Sequence, residues 1–237
     1  MDSNDLQNPQ EFTLQDALAE LQTVTSVTAT LPPAVFYGFS DLPADQQRAF
    51  KDGWCKLDKN LRGRVARQLV ETSEADFEFQ YHQIAIVLLQ DDLPEVRKAA
   101  IELLWENDTV AVMDRLLSLL AAERDPLVKS EVLNALGRFI RLGEYEDIPA
   151  DDAERAQDAV MQVLKDPNAS LLVRRRALEA ISNCTRDDVR PLIQAAYESP
   201  QHDMRVSALY AMGRSCDSYW GEIVLQEMNS DNPEMQY

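Results

Sequence analysis

Residues 126–138 read PLVKSEVLNALGR, and three other stretches align with them without a gap: PEVRKAAIELLWE at 94–106, LLVRRRALEAISN at 171–183 and HDMRVSALYAMGR at 202–214. Each has an apolar anchor (Val96, Val128, Val173, Met204) followed at once by a base (Arg97, Lys129, Arg174, Arg205). Four and five residues beyond the anchors stand Ala100/Ile101, Val132/Leu133, Ala177/Leu178 and Ala208/Leu209. Seven and eight beyond stand Leu103/Leu104, Ala135/Leu136, Ala180/Ile181 and Ala211/Met212. These offsets trace one apolar stripe on a helix. Its small residues let neighbouring helices approach closely.

The anchors recur at steps of 32, 45 and 31 residues, a spacing that suits a helix–turn–helix unit. A second amphipathic stretch follows each first helix: TVAVMDRLLSLLAAE, DDAERAQDAVMQVLKD, RDDVRPLIQAAYES and DSYWGEIVLQEMNS. The long step holds RLGEYEDIPADDA, residues 141–153, expected to be an acidic insertion between the two helices of the second unit. Pro94, Pro126 and Pro233 stand near first turns, with Asp or Asn just before several first helices, as helix starts require.

The pattern x-P-x-V-R-x-x-A-[LI]-x-x-[LA]-[LIM]-G resembles HEAT repeats, of the bacterial type first catalogued with phycobilin lyases, over residues 91–237. The resemblance implies an all-α fold, an α-solenoid of stacked antiparallel helix pairs. It places first helices on the convex side and second helices on the concave side. It also implies an Asp before a first helix that bridges to the Arg after an anchor. Asp125 fits that position, Asp166 stands further upstream and Asp203 abuts its anchor.

Residues 43–90 read as further amphipathic helices that lack the full stripe, divergent repeats or a helical cap on the first unit. Residues 1–42 form an acidic leader with no Lys or Arg before Arg48. Within it, residues 1–13 have the composition of a disordered tail, 14–24 suit a short helix, and TSVTATLPPAVFYGFSDLP reads as an extended segment. SDNPEMQY aligns with the opening of another repeat, with Met235 as anchor, so the chain is expected to be the N-terminal part of a longer array with a truncated last repeat.

The chain of 237 residues carries 41 Asp plus Glu against 23 Lys plus Arg, a formal charge of −18. That field opposes a phosphate backbone and an anionic membrane surface, so neither nucleic acid nor membrane is expected as a partner. No apolar run reaches the roughly 18–20 residues of a membrane span, and the polar start MDSNDLQNPQEF is not a secretory signal. Three cysteines, Cys55, Cys184 and Cys216, offer no paired framework, which fits reduced thiols in a cytoplasmic protein.

Signatures of catalysis are absent: no CxxC, HExxH, GxSxG or glycine-rich phosphate loop. His82 and His202 stand far from each other and from any cysteine, so no metal and no cofactor is expected. The run Arg174–Arg176 suits salt bridging between repeats. Two surfaces remain. Asp187, Asp188, Arg190, Tyr219 and Trp220 fall on second-helix segments, where aromatics flanked by charges are typical interface anchors. Glu144, Glu146 and Asp147 in the insertion could meet a basic partner. A non-catalytic scaffold that binds another protein follows. The family resemblance adds a bilin lyase subunit or chromophore chaperone as its rival, and then a HEAT-like DNA glycosylase, which the net charge opposes.

Overall fold

A computed structural model describes residues 12–24, 30–230 and 232–235. Among them the chain forms thirteen α-helices and no β-strand, the all-α stack of helix pairs that the repeated stripe requires. Helix contacts divide it into two compact units, Met1–Asn107 and Asp108–Tyr237.

The first unit holds α1 (Leu14–Thr23), α2 (Ala34–Phe39), a 3-10 turn (Ala44–Gln46), α3 (Gln47–Trp54), α4 (Lys59–Ala75), α5 (His82–Leu88) and α6 (Pro94–Glu102). Thr13 starts α1 with a capping box: its hydroxyl accepts from the Asp16 amide at 3.2 Å, and its own amide donates back to the Asp16 carboxylate at 3.0 Å. Leu14, Ala17, Leu18 and Leu21 then bury one face of α1. The leader is therefore packed over Leu14–Thr23, while residues 1–11 lie outside the described part. The extended reading of the following segment fails at residues 34–39, which are helical, with Val35 and Phe39 0 % exposed. Residues 25–29 of that segment are outside the described part. Gly38 is needed here, since a Cβ would come within 2.7 Å of the Thr13 carbonyl oxygen and 2.8 Å of the Ala17 methyl.

Between α5 and α6, Asp91 ties three elements together. Its carboxylate accepts from Trp54 Nε1 at 2.7 Å, pairs with Arg62 at 2.6 Å and caps the Leu93 amide at 2.9 Å. Both side chains of this ion pair are buried, at 8 % exposure for Arg62 and 3 % for Asp91.

The second unit holds α7 (Val110–Ala122), α8 (Pro126–Glu144), α9 (Ala150–Lys165), α10 (Leu171–Ile181), α11 (Val189–Tyr197), α12 (His202–Arg214), a 3-10 turn (Ser218–Trp220) and α13 (Gly221–Glu227). Asp125 starts α8 by accepting from the Leu127 and Val128 amides, with Pro126 in the first turn. The first helices α8, α10 and α12 pack in a row. α8 also rests on α7 and α9, and α11 rests on α12. The stripe is the core of this row: Leu136, Ile181 and Met212 are buried, as is their counterpart Leu104 in the first unit. Pro233–Met235 turn back near α12, with Met235 buried and Glu234 paired with His202 at 2.8 Å.

Two expectations change. The acidic insertion is mostly helix: 141–144 end α8, 150–153 begin α9, and only 145–149 link them. Asp151 and Asp152 stand in the first turn of α9, where carboxylates meet the positive end of the helix. Gly143 allows the extended helices to meet, since a Cβ there would overlap the Ala153 methyl. The bases after the anchors do not all reach a neighbouring repeat. Arg97 donates to the Asp91 carbonyl at 2.9 Å and Arg205 to the Ser199 carbonyl at 3.1 Å, fastening the turn before their own helices. The bridge between α10 and α12 runs instead from Arg175 to Asp203 at 3.0 Å and to the Ser207 hydroxyl at 2.8 Å.

Candidate functional site

The turn from α10 to α11 faces the turn from α12 to the 3-10 segment, and a cleft of about 290 Å³ opens between them. Val189, Ile193 and Trp220 form an apolar floor, and each is buried. Asp187, Arg186, Arg190, Asp217, Cys184 and Cys216 stand around it.

Local chain geometry sets each wall. Cys184 closes α10 with its thiol toward the Ile181 carbonyl at 3.1 Å, and burial pushes that thiol up. A buried thiol of this kind is a poor nucleophile. Cys216 is exposed at a positive φ of 49°. Asp217 caps the 3-10 turn by accepting from the Tyr219 amide at 3.0 Å. That amide first, and Arg190 at 2.6 Å second, hold the Asp217 carboxyl below the usual carboxylate range. The Arg190 guanidinium also lies over the Tyr219 ring, 5.0 Å from its centre. Tyr219 in turn meets Trp220 edge to face at 4.8 Å.

On the other wall Arg186 pairs with Asp158 at 2.7 Å and Asp188 at 3.0 Å. Asp188 and Asp158 raise the Arg186 guanidinium's affinity for its proton, and Arg186 holds the Asp188 carboxyl low. Both cations of the cleft are thus neutralised by carboxylates already in place.

The structure brings most of the candidate residues together, at the starts of second helices and not along their faces. Asp187, Arg190 and Trp220 line the cleft, with Asp188 and Tyr219 beside it through their bonds to Arg186 and Arg190. Consecutive aromatics have opposite fates: Tyr219 is 58 % exposed, while Trp220 is 1 % exposed and belongs to the floor. Glu144 joins the rim, accepting from the Thr185 hydroxyl at 2.9 Å. Glu146 and Asp147 are exposed in the link and form no ion pair among the described residues.

Arg186 and Asp217 are not among the residues that the sequence singles out. A signal for the charged pair exists: Asp158–Arg186, Arg175–Asp203 and Arg190–Asp217 are opposite charges 28, 28 and 27 residues apart, close to one repeat. Among the described residues no three His, Cys, Asp or Glu side chains are grouped to hold a metal ion, and no helix is long and apolar enough to cross a membrane.

Residues 83–172 match the family model of HEAT repeats, from α5 into the start of α10. Over that stretch the chain is similar to HEAT repeats. No curated protein matches the chain.

The carboxyls of Asp188 and Asp217 give the cleft a defined acid limit. Both are depressed in the folded chain, so their contribution is complete above the unfolded carboxyl value near ~3.9. It is lost as pH falls through the lower folded values. Carboxyl-carbon NMR titration should give midpoints for both residues below ~3.9, the unperturbed Asp value. Midpoints at or above it would show that the Arg186 and Arg190 pairs do not persist in solution.

Proposed function

We propose that this chain is a non-catalytic scaffold of the cytoplasm that binds another protein, using the rim of this cleft. The observation that carries the reading is Tyr219, more than half exposed and steadied by Arg190, which Asp217 fixes from the other side. An aromatic held this way offers contact area at small entropic cost, the property of an interface anchor. Glu144 and Asp187 make the rim acidic, and Glu146 and Asp147 follow Glu144 in the chain, so the favoured partner is basic. Three free thiols support a reducing setting.

The test is capture from native lysate with the full chain and its Tyr219→Ala/Arg190→Ala variant. A protein retained by the former and reduced at least about tenfold by the latter supports the reading, the size of loss expected for an anchor residue. Equal retention by both would remove the cleft from the interaction.

A second reading is a subunit of a bilin lyase or chromophore chaperone of the phycobilin-lyase type. What favours it is that Cys184 and the exposed Cys216 line one cleft. Mixing the chain with a bilin and apo-phycobiliprotein should then build visible absorbance that Cys216→Ser abolishes. No absorbance change would leave the scaffold reading alone.

A further inference from the structure

In the first unit, residues 76–81 read DFEFQY, aromatics alternating with two carboxylates and a glutamine. The segment is fixed at its end: the Tyr81 hydroxyl donates to the Phe36 carbonyl at 3.3 Å, and the Asp41 amide donates to the Gln80 carbonyl at 2.9 Å. Tyr81 is buried, and Phe79 stacks on it at 5.7 Å and touches Tyr37 at 4.9 Å. Phe77 and Trp105 then stand out, 69 % and 51 % exposed. With Phe79 and Tyr81 they line one shallow groove, and Tyr37, 39 % exposed, continues the surface. Tyr37, Phe77 and Trp105 are the large apolar side chains of the described first unit that remain exposed, and they are gathered around Phe79 and Tyr81.

Carboxylates outnumber cations around them. The stretches that build the patch, 30–47, 71–84 and 99–107, contain eight carboxylates, and the cations at their edges are Arg48 and Lys98, the latter paired with Glu102. Asp76, Glu78 and Glu106 are exposed beside the groove, and none of the three has an ion pair among the described residues. Partly exposed aromatic side chains among carboxylates are matched by one common side chain. Guanidinium is planar, weakly hydrated, stacks on aromatic rings and pairs with carboxylates, whereas an ammonium keeps its water. A second copy of this chain would bring the same negative field and be repelled, as would nucleic acid.

We propose that this aromatic groove docks a flexible, arginine-bearing segment of a partner protein. The site lies in a different compact unit from the cleft and stands without it. An arginine side chain lies across Phe77 or Trp105 while Asp76, Glu78 or Glu106 takes its N–H groups. Aromatic area supplies the contact, and the carboxylates choose the charge.

The experiment is fluorescence anisotropy with the full chain and three labelled probes, (Gly-Arg)6, (Gly-Lys)6 and (Gly-Glu)6, in moderate salt. The arginine peptide should bind several-fold tighter than the lysine peptide, and the glutamate peptide not at all. Phe77→Ser/Trp105→Ser leaves the net charge unchanged, and its substitutions are on exposed side chains, so the fold should persist. It should weaken the arginine peptide about tenfold, the order expected for losing two stacking faces, with little effect on the lysine peptide. Phe77→Leu/Trp105→Leu, which keeps apolar area without the ring faces, should lose most of the same binding. Equal affinity for arginine and lysine, or binding unmoved in both double variants, would overturn the proposal in favour of charge alone. Full retention by the leucine variant would overturn it in favour of plain apolar contact. A dimer that becomes monomeric in the serine variant would overturn it in favour of self-contact. Tyr219→Ala/Arg190→Ala should leave this binding intact, so failure here and failure at the cleft are separable.

Discussion

Leu136→Asp is expected to unfold the middle of the second unit. Leu136 is 0 % exposed in α8, the helix that meets α7, α9 and α10 together. Aspartate there loses the apolar contacts of leucine and buries a carboxyl with no partner. Either term alone costs a few kcal/mol, and together they reach about 4 kcal/mol or more. The total stability of a domain is about 5–15 kcal/mol, so little would be left. Melting should fall by more than about 10 °C, with Leu136→Ala falling less because it leaves only a cavity. Stacked repeats interact chiefly with their neighbours, so hydrogen exchange should lose protection in α7–α10 first and leave α3–α6 protected. A variant melting within two or three degrees of the parent would refute the placement of this stripe in the core.

That core was legible because its information is local. The anchors and the residues four, five, seven and eight beyond them share one helical face, and no distant contact is needed to see it. α2 was not legible for the opposite reason. AVFYGF is too short and too uniformly apolar to show a period, and a six-residue helix has no stability of its own. It is helical because Val35, Phe36 and Phe39 are buried, with Gly38 admitting α1. The insertion misled because Asp151 and Asp152 resemble a solvated loop when read as composition, yet they are first-turn residues of α9. At the cleft, residue types pointed to Asp187, Asp188, Arg190 and Tyr219, but not to what holds them. Arg190 is steadied by Asp217 from the next repeat, and Arg186 by Asp158 from the one before. Trp220 follows Tyr219 directly, and by type it suits an interface anchor as well as the place between repeats that the sequence favours for it. Only the 3-10 turn, which sends successive side chains in different directions, separates the buried ring from the exposed one.

Asp91→Ala should be the most damaging single change in the first unit, and more damaging than its mirror at the surface. Asp91 serves three donors at once: the Trp54 indole, the Arg62 guanidinium and the Leu93 amide at the start of α6. Alanine leaves the indole and the amide unsatisfied. It also leaves Arg62, at 8 % side-chain exposure, dependent on Asp92, whose side chain is 52 % exposed. Removing one member of a buried ion pair costs about 3–5 kcal/mol because the other charge stays where water cannot reach it. Asp92→Ala is the control: it removes a half-exposed partner of Arg62 and Lys59 and is expected to cost far less than Asp91→Ala, because solvent screens that pair. Asp91→Asn should fall between the two, since its amide oxygen can still accept from the indole or the Leu93 amide but carries no charge for Arg62. Denaturant titration with hydrogen exchange would separate the cases. The order Ala, then Asn, then the Asp92 variant, with lost protection confined to α3–α6, is the expected result. Equal stability of Asp91→Ala and Asp92→Ala would mean that the Arg62 charge reaches water, and that Asp91 is not the tie between α3, α4 and α6.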